Sequence, residues 1–269
     1  MDDAVPRSVE GGVVAIADKA DSIAGMFALG LQPTGSKDPF ALRRAANGIV
    51  KIIAEHKLPL PISKLFADAR AEYAGSESEK RFDPKVNFAE SIANFMHERL
   101  EFYLRDARGF AYDVVKAVLA ADSDDVVDAI ARAEAVSEVR GSEDFVSISI
   151  AFKRIKNIVR PVLEQQRDYG FMSISFENPE YFEAGAERDL AMLIPSFLRD
   201  IKDLSKETKY REALARVATL RSPVDTFFDK VMVMVDDEAV RYRRVLMLFF
   251  LLDGVSNIAD FSEIVTEGK

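Results

Sequence analysis

Residues suited to acid–base, nucleophilic or metal chemistry are scarce in this chain. Cysteine is absent, which removes disulfides, thiolate nucleophiles and cysteine-based zinc sites together. The two histidines, His56 and His97, are too few for a triad or a multi-histidine metal site. Gly30-Leu31-Gln32-Pro33-Thr34-Gly35-Ser36-Lys37 comes close to the phosphate loop G-x-x-x-x-G-K-[ST], but its last two letters are reversed. That chemistry needs the lysine at the β/γ-phosphates, the hydroxyl on magnesium and a strand leading in. Here an apolar, alanine-rich helical stretch leads in, so the segment reads as a rigid turn between helices. Asp18 and Asp21 share one helical face, yet a hard cation needs further oxygens or imidazoles and no histidine is close in sequence. They read as structural or solvated carboxylates.

Charge clustering says more. Formal net charge is −9, which opposes broad nonspecific adhesion to nucleic acid. Within that average, Lys37, Arg43, Arg44, Lys51 and Lys57 face only Asp38 and Glu55 across residues 36–57. Lys153, Arg154, Lys156, Arg160 and Arg167 face Glu164 and Asp168 across 151–170, and Arg241, Arg243 and Arg244 crowd one turn. Residues 122–144 hold eight acids and two arginines. Basic stripes on an acidic protein suit a directed polyanion contact, because phosphate neutralisation is local. The alternative is that they are solvated helix faces.

The elements that would carry these clusters are helical. Residues 1–12 read as an irregular lead-in and Val13 to Leu31 as a helix. Asp38-Pro39 supplies an N-cap acceptor and a preset φ for a second helix, with Leu42, Ala46, Ile49 and Ile53 on its apolar side. It should end near His56. Gly75 to Pro84 has a linker composition. Phe88 to Tyr103, a segment around Val114 and Val118, and one around Val126 to Ile130 follow as helices. Glu143 and Asp144 mark another helix start. Val146, Ile148 and Ile150 alternate as a strand would, but Phe145, Ile148, Phe152, Ile155 and Val159 recur at three and four over 15 residues, so helix is expected. Residues 170–185 read as a loop. Helices are expected from Ala186 past Pro195, from Thr208 to Leu220, from Ser222-Pro223, and from Asp236 or Asp237 onward. The fold class is all-α.

The longest apolar run, Val245 to Leu252, is eight residues, against the ~20 that span a bilayer. No basic-then-apolar leader opens the sequence, so a cytoplasmic location and no membrane partner are expected. Phe227-Phe228 and Val245 to Leu252 read as core.

Two blocks are specific enough to name a family. Ala17-Asp18-Lys19-Ala20-Asp21-Ser22 with Pro33 to Ala46, and Arg221-Ser222-Pro223-Val224-Asp225 with Phe227 to Met234, resemble the β subunit of bacterial two-subunit glycyl-tRNA synthetase. Ala151-Phe152-Lys153-Arg154-Ile155-Lys156-Asn157-Ile158 matches between them, and Arg241, Arg244 and Ala259-Asp260-Phe261-Ser262 close the series. The family's subunit is much longer, so the chain resembles its carboxy-terminal portion, with Met1 not the natural start. The resemblance implies that residues 1–75 end an HD-type helical domain whose last metal-type aspartate would be Asp18. Residues 76–269 would form a helical anticodon-binding domain of the arginyl-tRNA synthetase type. Asp237 and Arg241 stand where that domain's Asp-Ala-Leu-Arg signature falls, with Glu238-Ala239-Val240 departing from its letters.

In function, the resemblance implies a tRNA-recognition part of a glycine–tRNA ligase. It would bind tRNA-Gly on the anticodon side while a separate α subunit activates glycine with ATP and magnesium. The assembly would be a heterotetramer, and this chain would hold no catalytic residue, metal or cofactor of its own. The expected tRNA contacts are Lys153, Arg154, Lys156, Asn157 and Arg160, left open by the stripe Phe152, Ile155 and Val159, together with Arg241, Arg243, Arg244, Lys37, Arg43 and Arg44. Lysine and arginine meet phosphates, while asparagine or a planar arginine can read splayed loop bases. The competing functions are an HD-type metal phosphohydrolase and a helical scaffold that binds only protein.

Overall fold

The computed structural model describes residues 4–165 and 174–265; Arg167, Asp168 and Gly170 lie outside them. The described residues form eleven α-helices and no strand, which makes the fold all-α. They fall into two compact units, residues 1–115 with 122–130, and residues 116–121 with 131–269.

The first unit contains α1 (Val9–Ala28), α2 (Leu42–His56), α3 (Ile62–Ala71), α4 (Phe88–Phe102) and the start of α5 (Tyr112–Ala121). α1 packs on α2 and α3, and α4 closes against both of those. Its core is Ile16, Ile23, Phe27, Ile49, Ile53, Phe66, Ile92 and Phe95, with the Phe27 and Phe95 rings 4.9 Å apart.

Two helix starts in this unit differ from the sequence reading. α1 begins at Val9, inside the expected lead-in, because the Ser8 hydroxyl accepts from Gly11 N–H and caps it. Gly12 lies in that first turn, and glycine suits it because α2 comes close: a Cβ there would sit 3.1 Å from Ile52 and 3.2 Å from His56. α2 begins at Leu42, not at Pro39, because Ala41 takes a left-handed conformation (φ 54°) that interrupts the helix. Asp38 still caps it from a distance, its carboxylate accepting from the N–H groups of Leu42 (2.8 Å) and Arg43 (3.0 Å).

Before it, Thr34 and Lys37 exchange backbone hydrogen bonds of 3.1 and 2.9 Å across Gly35 and Ser36. The Thr34 and Lys37 N–H groups are thus satisfied by each other, which closes a tight turn between the helices. The stretch from Gly75 to Pro84 lies within the first unit. Glu79 binds Gly75 N–H at 2.7 Å, and Asp83 N–H donates to Ala28 O at 2.8 Å.

The second unit holds the end of α5, most of α6 (Val126–Val139), α7 (Glu143–Gln165), α8 (Ala186–Lys206), α9 (Tyr210–Ala218), α10 (Arg221–Lys230) and α11 (Glu238–Val255). α11 packs on α7 and α8, and α10 sits against the same two helices. α11 is apolar nearly all round from Val245 to Leu251, as a central helix must be. The α7 stripe Phe145, Ile148, Phe152, Ile155 and Val159 is buried throughout, which settles the strand-or-helix ambiguity in favour of the longer period. Phe261 closes the end of this core, edge-on to Phe145 and Phe152. No described helix is long and apolar enough to cross a membrane.

Candidate nucleic-acid interface

With its apolar stripe buried, α7 turns Lys153, Arg154, Asn157 and Arg160 outward, while Lys156 is half-buried. Their engagements differ. Lys156 donates to Asp260 at 2.5 Å and to Ser262 at 3.0 Å. Asp260 is pulled two ways: burial pushes its pKa up, but the hydrogen bonds from Lys156 and Ser262 win and hold it below the usual carboxylate range. That interaction is therefore present above an ordinary aspartate pKa and is lost as pH falls through the lowered one. Lys156 thus fastens the chain end to α7. Arg160 pairs with Glu164 one turn on, at 2.9 Å. Lys153 and Asn157 have no partner among the described residues. Arg154 lies over the Phe228 ring of α10, 3.9 Å from its centroid.

The arginines of α11 are held more tightly. Asp237 caps that helix, accepting from Ala239 N–H (2.9 Å) and Val240 N–H (3.0 Å), and Arg241 reaches back to Val235 O at 2.9 Å. The two polar positions of the Asp-Ala-Leu-Arg-like segment therefore fix the junction of loop and helix. Arg243 binds Glu187 at 2.8 Å and lies over Tyr181. Arg244, 5% exposed, binds Glu187 at 2.6 Å, Glu183 at 2.5 Å and Met232 O at 2.8 Å. These two cations are engaged inside the fold.

The remaining candidates lie in the first unit. Lys37 is exposed on the Thr34–Lys37 turn. Arg43 and Arg44 border a cavity of about 900 Å³ between α1 and α2, which Asp18, Lys19 and Asn47 also line. The Asn47 Oδ1 is buried there without a hydrogen-bond partner. Asp18 is exposed, and His56 is bound to Pro6 O at 2.8 Å. Among the described residues no three His, Cys, Asp or Glu side chains converge as metal ligands would.

Sequence reasoning missed Phe228, read as core with Phe227. A signal was present: adjacent helical residues point about 100° apart, so on an amphipathic helix the second of two neighbouring rings tends to the edge of the buried stripe. Phe227 is buried and Phe228 only half-buried.

Comparison with known proteins defines the class first. Residues 148–257, which contain the α7 face, α10 and all of α11, match the DALR anticodon binding domain. Residues 1–120 match the glycyl-tRNA synthetase beta subunit family. The chain belongs to the glycyl-tRNA synthetase β-subunit family. A glycine–tRNA ligase beta subunit of Acidobacterium capsulatum is 46% identical over 98% of this chain and 36% of its own length. Those of Desulforamulus reducens (37% identical, 99% of this chain) and Syntrophus aciditrophicus (39%, 98%) are each likewise covered over 36% of their length. The chain thus spans about a third of the length of these relatives.

Proposed function

We propose that this chain is the tRNA-recognition part of a glycine–tRNA ligase, binding tRNA-Gly on its anticodon side. The observation that carries this reading is the α7 face, where Lys153, Arg154 and Asn157 stand exposed, without a carboxylate partner among the described residues, inside the anticodon-binding match. The other cations named in this unit, Lys156, Arg160, Arg243 and Arg244, are engaged with acids or backbone. Unpaired donors on a rigid helix suit a ligand that brings negative charge and unstacked bases. The same reading assigns residues 1–75 to the end of an HD-type helical domain and 76–269 to the anticodon-binding part. Activation of glycine with ATP and magnesium belongs in this reading to a separate α subunit, the two assembling as a heterotetramer in the cytoplasm.

Two measurements test it. In the intact ligase, Lys153→Ala weakens binding to tRNA-Gly and to a noncognate tRNA alike, and lowers the slope of log affinity against log salt by about one. Unchanged affinity and slope, with helicity intact, would place the contact surface elsewhere. Glycine-dependent ATP–pyrophosphate exchange is expected to be absent from this chain alone, and robust turnover without the α subunit would overturn the division of labour.

A further inference from the structure

Arg154 differs from the other α7 cations in what holds it. It has no carboxylate within ion-pair distance among the described residues, and its guanidinium carbon lies 3.9 Å from the Phe228 centroid. The other cation–ring separations run from 4.7 to 5.8 Å. A guanidinium at van der Waals distance over an aromatic face is oriented by the ring and still keeps its N–H fork and its other face for a ligand. Arg154 is exposed, so both remain accessible.

Phe228 is itself fixed from two sides. Its neighbour Phe227 is buried, and the two rings meet edge-on at 5.6 Å. Beyond it the chain is fastened where Val231 N–H donates to Phe227 O at 2.8 Å, Arg244 to Met232 O at 2.8 Å and Arg241 to Val235 O at 2.9 Å. The ring is therefore set in place before any ligand arrives, and it has already removed rotamer freedom that binding would otherwise have to remove from Arg154. Asn157, three residues on and so on the same side of α7, adds an amide with two donors and an acceptor beside this plane. A phosphate needs only a point charge, which a lysine supplies. A flat, backed guanidinium suits a planar ligand.

We propose that Phe228 is a positioning residue for tRNA, holding the Arg154 guanidinium as a platform on which one unpaired base of the anticodon loop stacks. This rests on the anticodon-side reading of the chain. Stacking tolerates any base, because every base has a π-face, so the platform sets affinity for an unpaired base and leaves identity to hydrogen-bonding groups such as Asn157.

The test uses anticodon stem–loops of tRNA-Gly, intact or carrying one abasic nucleotide at each unpaired position in turn. They are titrated against the intact ligase, wild type or with Phe228→Leu, Phe228→Tyr or Arg154→Lys. One abasic position is expected to lower wild-type affinity about tenfold, within the range for loss of a base–side-chain stack. Phe228→Leu and Arg154→Lys should show that same tenfold loss on the intact loop and no further loss on that abasic one, while Phe228→Tyr retains wild-type behaviour. Arg154→Lys, an exposed change, keeps the charge and removes the plane, so it decides the matter if Phe228→Leu folds poorly. Uniform weakening of every loop by Phe228→Leu, or wild-type binding by Arg154→Lys, overturns the platform. Loop dependence that survives both variants overturns the platform alone. A wild-type ligase indifferent to a loop stripped of all its bases would overturn the anticodon-side reading itself.

Discussion

Glu187→Ala is expected to lower the stability of the second unit by about 3–5 kcal/mol, the range for removing one partner of a buried ion pair. Glu187 is 1% exposed in the first turn of α8, where the helix dipole favours a negative charge. One of its oxygens accepts from Arg243 at 2.8 Å and the other from Arg244 at 2.6 Å. Removing the carboxylate leaves Arg244 charged, 5% exposed and short of its main partner. Glu183 also binds Arg244, but its own side chain is 69% exposed, so Glu183→Ala should cost under about 1 kcal/mol. The contrast between these two glutamates is the measurement, read from urea unfolding with the slope checked for constancy. Glu187→Leu combined with Arg244→Met should recover much of the loss, because an apolar pair carries no unmet charge into the interior. A Glu187→Ala variant within about 1 kcal/mol of wild type would show that the network does not hold the unit together. Under the proposed function the effect also bears on tRNA binding, since Arg244 fastens Met232 O in the segment beyond Phe228.

How much of this could be read from the residues alone differs between levels. The helices were legible because their information is local: the α7 stripe repeats at three and four, and Asp237 announces α11 by preceding it. The boundaries failed where a single backbone state decided them. Ala41 is left-handed although nothing about alanine favours that, so Asp38 caps α2 from four residues back instead of from the adjoining position. The basic clusters were legible as charge but not as availability. Arg243 and Arg244 are neighbours in sequence of nothing acidic, and their partner Glu187 lies 56 and 57 residues away. Lys156 meets Asp260 across 104 residues, whereas Lys153, three residues earlier on the same helix, meets nothing among the described residues. Which cations are free to meet a ligand depends on tertiary pairing, and sequence spacing carries no record of it. The resemblance to a tRNA ligase subunit rested on runs of letters such as Pro33 to Ala46, whose structural role, a closed turn followed by a distant cap, emerges only with the fold.

Arg132→Ala is the other large effect expected, a loss of about 3 kcal/mol from two orphaned carbonyls at ~1–3 kcal/mol each, with lost packing added. Arg132 is fully buried on α6, the largest side chain enclosed in the second unit. Its Nη1 donates to Val118 O at 2.6 Å and to Ile258 O at 3.3 Å. Val118 is among the last four residues of α5, whose carbonyls have no helical N–H to accept from, and Ile258 follows the end of α11. A cation at these two helix ends meets the negative end of each dipole and supplies the missing donor at once. Nearby, Asp260 N–H donates to Ala117 O at 2.8 Å, so the same corner joins α5 to the chain that leaves α11. Arg132→Met separates the contributions, because it keeps much of the aliphatic stem and deletes the donors. It should fall between wild type and alanine, with the gap from wild type reporting the lost polar contacts, the two carbonyls among them, and the gap to alanine reporting the packing. Amide hydrogen exchange gives the local readout: protection at Ile258 to Asp260 and in the last turn of α5 should drop before the rest of the unit opens. If Arg132→Met matched wild type in both midpoint and exchange, the buried charge would be dispensable and the corner would be held by packing alone.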